Sequence, residues 1–506
     1  MPYDLLDEPI LSWRDTHRVR DRTTLPGVLA KLASGELGDF PRVQAHQFHP
    51  WCMFLTQLAA IALHRSACTD VRVSEGDWRQ MLLTLTGDAH EPWCLITDQL
   101  SLPALLQPPI PEASKGWELL DEWHSVARPD ELDILVTSKA HDVKEARLER
   151  ANPEFWVYSL ATLQTMQGYP GRGYNPISRM KGGYGNRPRV GLTPGSSPAD
   201  RFARDVGVLL ESWPHLLERG FNDSGVALVW TEPWDGAASL DLKDLAPHFI
   251  EVCWRVRCFD GDGIRCAYTT TKQRRCLPSI ANGDVGDPWI PVERDGGALT
   301  VGRRGFHCEL LTHILFGDDY EPAAAQIPRT GDGDPVVLEA FALARGQGKT
   351  EGLHERSLVL PGEVRRRLGK AEERTALGRR ALTHLDRAKK MRSNVLFPAL
   401  KSLALGETIV RDSFDARVDE DFFQVLFRTL DREDHESQVE WDSCLIEMAA
   451  RELDQAIARC ALADAQWHRR VAEAEAMFRG CLRKIFPDAL AQRTSSRGPV
   501  EGGDHP

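Results

Sequence analysis

The sequence predicts an α+β protein: a mixed α/β N-terminal domain with antiparallel strands, followed by a C-terminal antiparallel four-helix bundle. Two observations carry this. Up to about residue 360, short apolar runs alternate with many Gly and Pro breaks; beyond Pro361 both become rare and apolar residues recur every three or four positions. A chain of 506 residues exceeds one compact core. The expected division is a domain over 1–360, a bundle over 361–490 and a disordered tail over 491–506, where QRTSSRGPVEGGDHP has nothing to bury.

In the first part, WCMFLTQLAAIALH at 51–64 predicts a helix, with Pro50 where an N1 proline would sit. FWVYSLATLQTMQ near 155–167 predicts a second, stopped by a glycine-rich segment. FIEVCWRVRCF at 249–259 predicts strand, and in WIPVERDGGALTV at 289–301 the run Asp295-Gly296-Gly297 signals a hairpin. VVLEAFALAR reads as well as helix as it does as strand.

In the second part, Val364, Leu368, Ala371, Leu382, Leu385 and Ala388 mark one apolar stripe, and DFFQVLFR at 421–428 a shorter helix. Ile446, Ala449, Leu453, Ile457, Cys460, Trp467, Val471, Ala474 and Phe478 predict one long helix over 442–486 with a skipped turn. Helices with a single stripe and short loops pack most simply as an antiparallel bundle. Between 363 and 392 eleven basic residues stand against four acidic ones, whereas 411–456 carries fourteen acidic against five basic. These runs either complement each other on neighbouring helices or offer a surface to a charged partner.

Hydrophobic residues at 42%, charged at 27% and aromatic at 8% describe an ordinary globular protein. A net charge of −12 argues against a surface that is wholly a nucleic-acid footprint, yet leaves room for a local basic groove. The acidic start MPYDLLDEPILSW lacks a signal-peptide pattern and no long uncharged apolar stretch occurs, so the expected location is the cytoplasm. Eleven cysteines without a Cys-x-x-Cys pair suit reduced thiols. Cys253, Cys258, Cys266 and Cys276 are separated by four, seven and nine residues, a spacing poor for zinc.

The segment 167–195, QGYPGRGYNPISRMKGGYGNRPRVGLTPG, is the most unusual. Gly168, Gly171 and Gly173 begin a run of glycines mixed with Arg172, Arg179, Lys181, Arg187 and Arg189, and no carboxylate interrupts them. Glycine lets backbone approach a ligand, arginine neutralises phosphate, and Tyr169, Tyr174 and Tyr184 offer rings for stacking on bases. Nucleic acid is the natural ligand, the alternative being a long surface loop. The G-x-G-x-x-G spacing of a dinucleotide site is absent.

Gly346-Gln347-Gly348-Lys349-Thr350 resembles the end of a phosphate-binding loop, but Leu343 stands where that motif needs Gly. A polar loop beside Arg345, able to probe a groove, fits better. His46 and His49 are three apart beside a helix start, where packing and capping compete with metal binding. Asp318-Asp319 and the acidic run at 431–436 lack the matching second cluster of a two-metal nuclease. No set of residues points to an enzyme.

The stretch LATLQTMQGYPGRGYNPISRMKGGYGNRPRVGLTPG resembles CasA, the large subunit of the type I-E CRISPR surveillance complex Cascade. LLDEPILSWRD, FPRVQAHQFHPWCMFLTQLAAIALH, FIEVCWRVR, GDPWIPVERDGGALTV and RGQGKTEGLHER agree with that family in order along nearly the whole chain. The resemblance implies a non-catalytic antiviral-defence subunit without cofactor or metal. It would recognise the protospacer-adjacent motif (PAM) in double-stranded DNA, help open the duplex for R-loop formation with guide RNA held by other Cascade subunits, and recruit a helicase-nuclease. It places Gly168, Tyr169, Gly171, Arg172 and Gly173 at DNA, Lys272 in the same groove, and Gly346, Gln347 and Lys349 as a wedge; the basic character of the segment adds Arg179 and Lys181 as expected DNA contacts. Lys139 and Lys144 in DILVTSKAHDVK would contact RNA or a neighbouring subunit. The competing classes are a metal-dependent nuclease subunit and a purely structural recruiter.

Overall fold

The computed structural model describes residues 3–111, 113–134, 152–182, 184–195, 197–294, 296–346, 349–403, 407–459 and 464–496. The chain divides into two compact units, one of residues 1–306 with 319–365, the other of 307–318 with 366–506. The segment 307–318, which composition alone puts with the first part, therefore belongs to the helical unit. It contains the helix Cys308–Phe316.

The first unit is organised around helices whose apolar residues run nearly all round, so that they sit inside a core. Helix Ala45–Arg65 buries almost every residue from Phe54 to Leu63. It begins before the expected start at 51, because Gln47 Oε1 accepts the Gln44 N–H at 3.3 Å and opens the helix there. Pro50 consequently lies inside the helix rather than at N1. Helix Pro153–Met166 is capped by Asn152, whose side chain accepts the Glu154 N–H, and helix Pro198–Glu218 by Ser197, which accepts that of Asp200.

VVLEAFALAR is strand. Val336–Gly346 is the middle of a three-stranded antiparallel sheet, flanked by Lys349–Leu360 and Arg189–Thr193. Alternating residues that look helical are held extended because the strand finds ladder partners on both sides. FIEVCWRVRCF is two strands, Leu245–Ile250 and Arg255–Gly261. It breaks between them because Gln164 Oε1 accepts the N–H groups of both Cys253 and Trp254, at 2.8 and 2.9 Å. Arg255–Gly261 then pairs with Gly263–Thr269, and Val292–Glu293 with Gly297–Ala298, both antiparallel.

In the helical unit, Ala371–Lys390 runs through a π-helical turn, Met391–Leu396, into Phe397–Ser402. The turn precedes Pro398, which has no N–H to return to the preceding turn. Glu407–Arg428, Asp434–Ala458 and Asp464–Ile485 follow. The single helix expected over 442–486 is thus two, ending at Ala458 and restarting at Asp464 around the skipped turn. Leu382 is 42% exposed; Leu377, Ala381 and His384 are buried instead. Residues 491–496 of the expected tail belong to a helix, Pro487–Ser496. No helix among the described residues is long and apolar enough to cross a membrane.

The two charge runs complement each other. Arg380 meets Asp434 at 2.7 Å, and Arg387 meets Asp442, as Arg392 meets Asp415, at 2.6 Å. Arg380 also donates to the carbonyls of Thr429, Leu430 and Arg432, closing the C-terminal end of Glu407–Arg428.

His384, stacked on Trp441 at 5.8 Å, is held neutral by burial, which lowers its pKa from 6.5 to about 4. The unfolded chain takes up this proton between those values and the folded bundle does not, so the stabilising contribution is intact above pH 6.5 and is lost as pH falls toward 4. The expected loss is about 3 kcal/mol. His384→Gln should flatten the fall of the thermal midpoint across that interval; an unchanged slope would clear His384 of it.

Candidate nucleic-acid interface

The glycine segment is a loop pinned at its base. It leaves helix Pro153–Met166 and returns where Arg187 N–H donates to the Met166 carbonyl at 3.0 Å. The Gly168 N–H donates to Asn186 Oδ1 at 3.0 Å, and a Cβ at Gly168 would come within 1.9 Å of the Gly185 carbonyl oxygen. Two backbone strands cross there, and only glycine allows it. Gly168→Ala is expected to cost about 1–3 kcal/mol or more, because backbone cannot swing aside. Urea denaturation checks this; a midpoint equal to that of the parent chain would contradict it.

Beyond the crossing, the loop turns outward. Gly171 and Gly173 hold positive φ, at 156° and 91°. Between them Arg172 is exposed, with no hydrogen bond or ion pair among the described residues. Tyr169 is 36% exposed beside Tyr184, with ring centroids 6.0 Å apart. Tyr174 is not available to a base: it stacks on Trp254 at 4.4 Å and burial raises its pKa.

Lys272 is brought to this loop by main chain. Thr271 N–H donates to the Gly173 carbonyl at 2.8 Å and Asn175 Nδ2 donates to Thr271 Oγ1 at 3.0 Å, while Lys272 N–H donates to Gly236 O at 2.7 Å. The Lys272 side chain is exposed. On another side, Arg345 donates to Gln167 Oε1 at 3.4 Å, linking the loop's base to the hairpin that follows. Gly346 and Lys349 are cross-strand partners at the end of that hairpin, so they are not part of a strand–loop–helix phosphate site. Lys349 is exposed, 3.6 Å from Glu351. Gln347, Lys139 and Lys144 lie outside the described residues.

Several of the expected DNA contacts are instead part of the core. Arg179 is only 3% exposed; its guanidinium meets Glu251 at 2.5 Å and Asp287 at 3.0 Å and lies over the Phe249 ring. Arg187 is bound to the same Asp287 at 2.6 Å, and Arg189 to Asp205 at 3.0 Å and Glu339 at 3.2 Å. A guanidinium taken out of water needs a carboxylate, and each has one. Lys181 is 38% exposed but paired with Glu293. The exposed loop thus offers Arg172, not the whole basic run. Asn186, Asn175, Thr271 and Gln167, which set its shape, carry no local sequence signal beyond being polar neighbours of glycine and lysine.

The histidine pair does not converge: His46 Nε2 lies 2.7 Å from Asp133, whereas His49 packs on Phe341 and lies 3.9 Å from Glu355. Cys258 and Cys266 face each other across a strand pair, yet no three of the four clustered cysteines come within ligating reach. Among the described residues the one such cluster is Asp4, Asp7 and His90, where Asp4 already bonds His90 at 2.7 Å and Asp7 bonds Arg79.

No family model and no curated protein matches this sequence. Solved structures do. CasA (Cse1) of Thermus thermophilus superposes with a TM-score of 0.63 at 15% identity, covering 95% of this chain and 100% of that one. Cse1 of Thermobifida fusca gives 0.62 at 13%, covering 96% and 98%, and the CRISPR-associated protein Cse1 of Acidimicrobium ferrooxidans gives 0.59 at 14%, covering 96% and 99%. The likeness spans both units and establishes a shared α+β fold.

Proposed function

We propose, from a fold shared end to end with CasA proteins, that this chain is the non-catalytic large subunit of a type I-E Cascade complex and reads the protospacer-adjacent motif in duplex DNA. The observation that carries the reading is the outward loop at Gly171–Gly173, where unpaired Arg172 and exposed Lys272 are joined by the Gly173–Thr271 hydrogen bond. A narrow glycine arc carrying one arginine suits the minor groove, whose donor and acceptor pattern is degenerate, so tolerance of several motifs is expected. Guide RNA reads the remaining sequence by pairing, and this chain lowers the cost of the first unpairing step, with the hairpin at Gly346–Lys349 as the wedge. The helical unit recruits the helicase-nuclease. With a net charge of −12, the isolated chain binds DNA weakly and depends on its assembly for affinity.

The test is binding of guide-loaded complex, assembled with and without this chain, to duplexes carrying a randomised flank. Strong flank dependence only when the chain is present is the expected result. Equal affinity for every flank would leave a scaffold or recruiter and remove the motif-reading role.

A further inference from the structure

A cleft of about 650 Å³ lies in the first unit, and none of the residues assigned to DNA lines it. One wall is the 3-10 helical segment Ala113–Glu122, the other the tip of the hairpin formed by Arg255–Gly261 and Gly263–Thr269. The floor is aromatic and anchored: Trp123 and Phe259 pack on a small core of Leu100, Ile110, Leu119 and Leu120. Trp117, which lines the cleft, is 41% exposed, so its ring is open to a ligand. Around it are Glu118, Asp121 and Asp262, all exposed and none with a hydrogen bond or ion pair among the described residues. The one cation of the lining, Arg265, is turned to Ser125 Oγ at 3.2 Å.

Rings beside unpaired carboxylates select a cation with an apolar stem. The ring faces attract a guanidinium or ammonium, the carboxylates pair with it, and the apolar floor takes the methylene chain. The protein itself uses this chemistry here, since the Arg255 guanidinium lies 5.0 Å over the Trp123 ring. We infer that the cleft is a docking site for a basic segment of a protein partner, which inserts an arginine or lysine between Trp117 and the carboxylates. Charge complementarity favours this occupant over DNA or RNA, whose phosphates the same carboxylates would repel.

The probe is a fluorescent hexa-arginine peptide titrated into the full chain. Two triple variants remove equal charge: Glu118→Gln, Asp121→Asn, Asp262→Asn in the cleft, and Glu420→Gln, Glu436→Gln, Asp454→Asn elsewhere. The cleft triple is expected to weaken binding at least tenfold and the distant triple less than twofold, with Trp117→Ala costing threefold or more. All these side chains are solvent-facing, and circular dichroism confirms that each variant folds. The inference is overturned if the peptide does not bind, if both triples lose affinity equally, or if Trp117→Ala has no effect. Arginine amide that binds as tightly as the peptide, at equal arginine concentration, would make this a small-cation pocket and likewise overturn it.

Discussion

Asp287→Ala is expected to destabilise the first unit by about 3–5 kcal/mol, the range for stranding a buried charge. Asp287 Oδ2 holds Arg187 at 2.6 Å and Arg179 at 3.0 Å, and its Oδ1 accepts the Trp289 N–H at 2.9 Å. Burial lowers the Arg187 pKa to about 10, which still leaves it charged at neutral pH. Without Asp287, the Arg187 guanidinium retains Gln57 and the Thr165 carbonyl as hydrogen-bond partners, at 3.3 to 3.5 Å, and the Trp289 ring at 5.4 Å. Arg179 keeps Glu251, so the damage centres on Arg187, whose own N–H closes the base of the glycine loop. Flank-dependent binding should therefore disappear although no DNA-facing residue has changed. Asp287→Asn keeps hydrogen-bonding atoms and should fall between the two. Equilibrium unfolding of the full chain measures this, and a variant within about 1 kcal/mol of the parent would show that the network is dispensable.

Arg172→Ala combined with Lys272→Ala is expected to leave folding unchanged and to weaken the assembled complex on motif-bearing duplexes by roughly a hundredfold, about tenfold or 1.4 kcal/mol for each contact. Both side chains are exposed, and the loop is positioned by main-chain and Asn175 contacts that neither substitution removes. Each lost phosphate contact also lowers the salt slope of log Kd by about one. Arg179→Ala supplies the contrast: its guanidinium is buried, so it should lower stability without a separate change in salt slope. The readout is titration of the complex at several salt concentrations. Parent-like affinity and slope in the double variant would end the assignment of this loop to DNA.

The glycine segment was legible because a run of glycines without carboxylates is rare and has a direct physical use. Which of its arginines face solvent was not legible. Arg172 sits between two glycines and Arg179 between Ser178 and Met180, but neither setting contains a counter-charge, and the acids that bury Arg179 and Arg187 are 72 and 100 residues away. Pairing at such separation leaves no periodic trace. The helix at Pro198–Glu218, by contrast, announces itself in Ser197-Pro198 followed by Asp200, a capping signal that apolar spacing alone passes over. The aromatic cleft at Trp117 is formed by segments more than a hundred residues apart and has no signature in either.

By itself the sequence determined the α+β class, the change of character after Pro361, two of the long helices of the first unit and the position of the glycine loop, because each depends on contacts or backbone freedom within a few residues. Tertiary structure alone decided that Val336–Gly346 is a strand, that 307–318 joins the helical unit, and that the charge runs of the bundle pair with each other. It also decided that of the loop's basic residues Arg172 is exposed and unpaired while Arg179, Arg187 and Arg189 are core. The reason is common to all of these: a ladder partner, a buried counter-charge or a packing neighbour is supplied by distant chain, and local chemistry is the same whether or not it arrives.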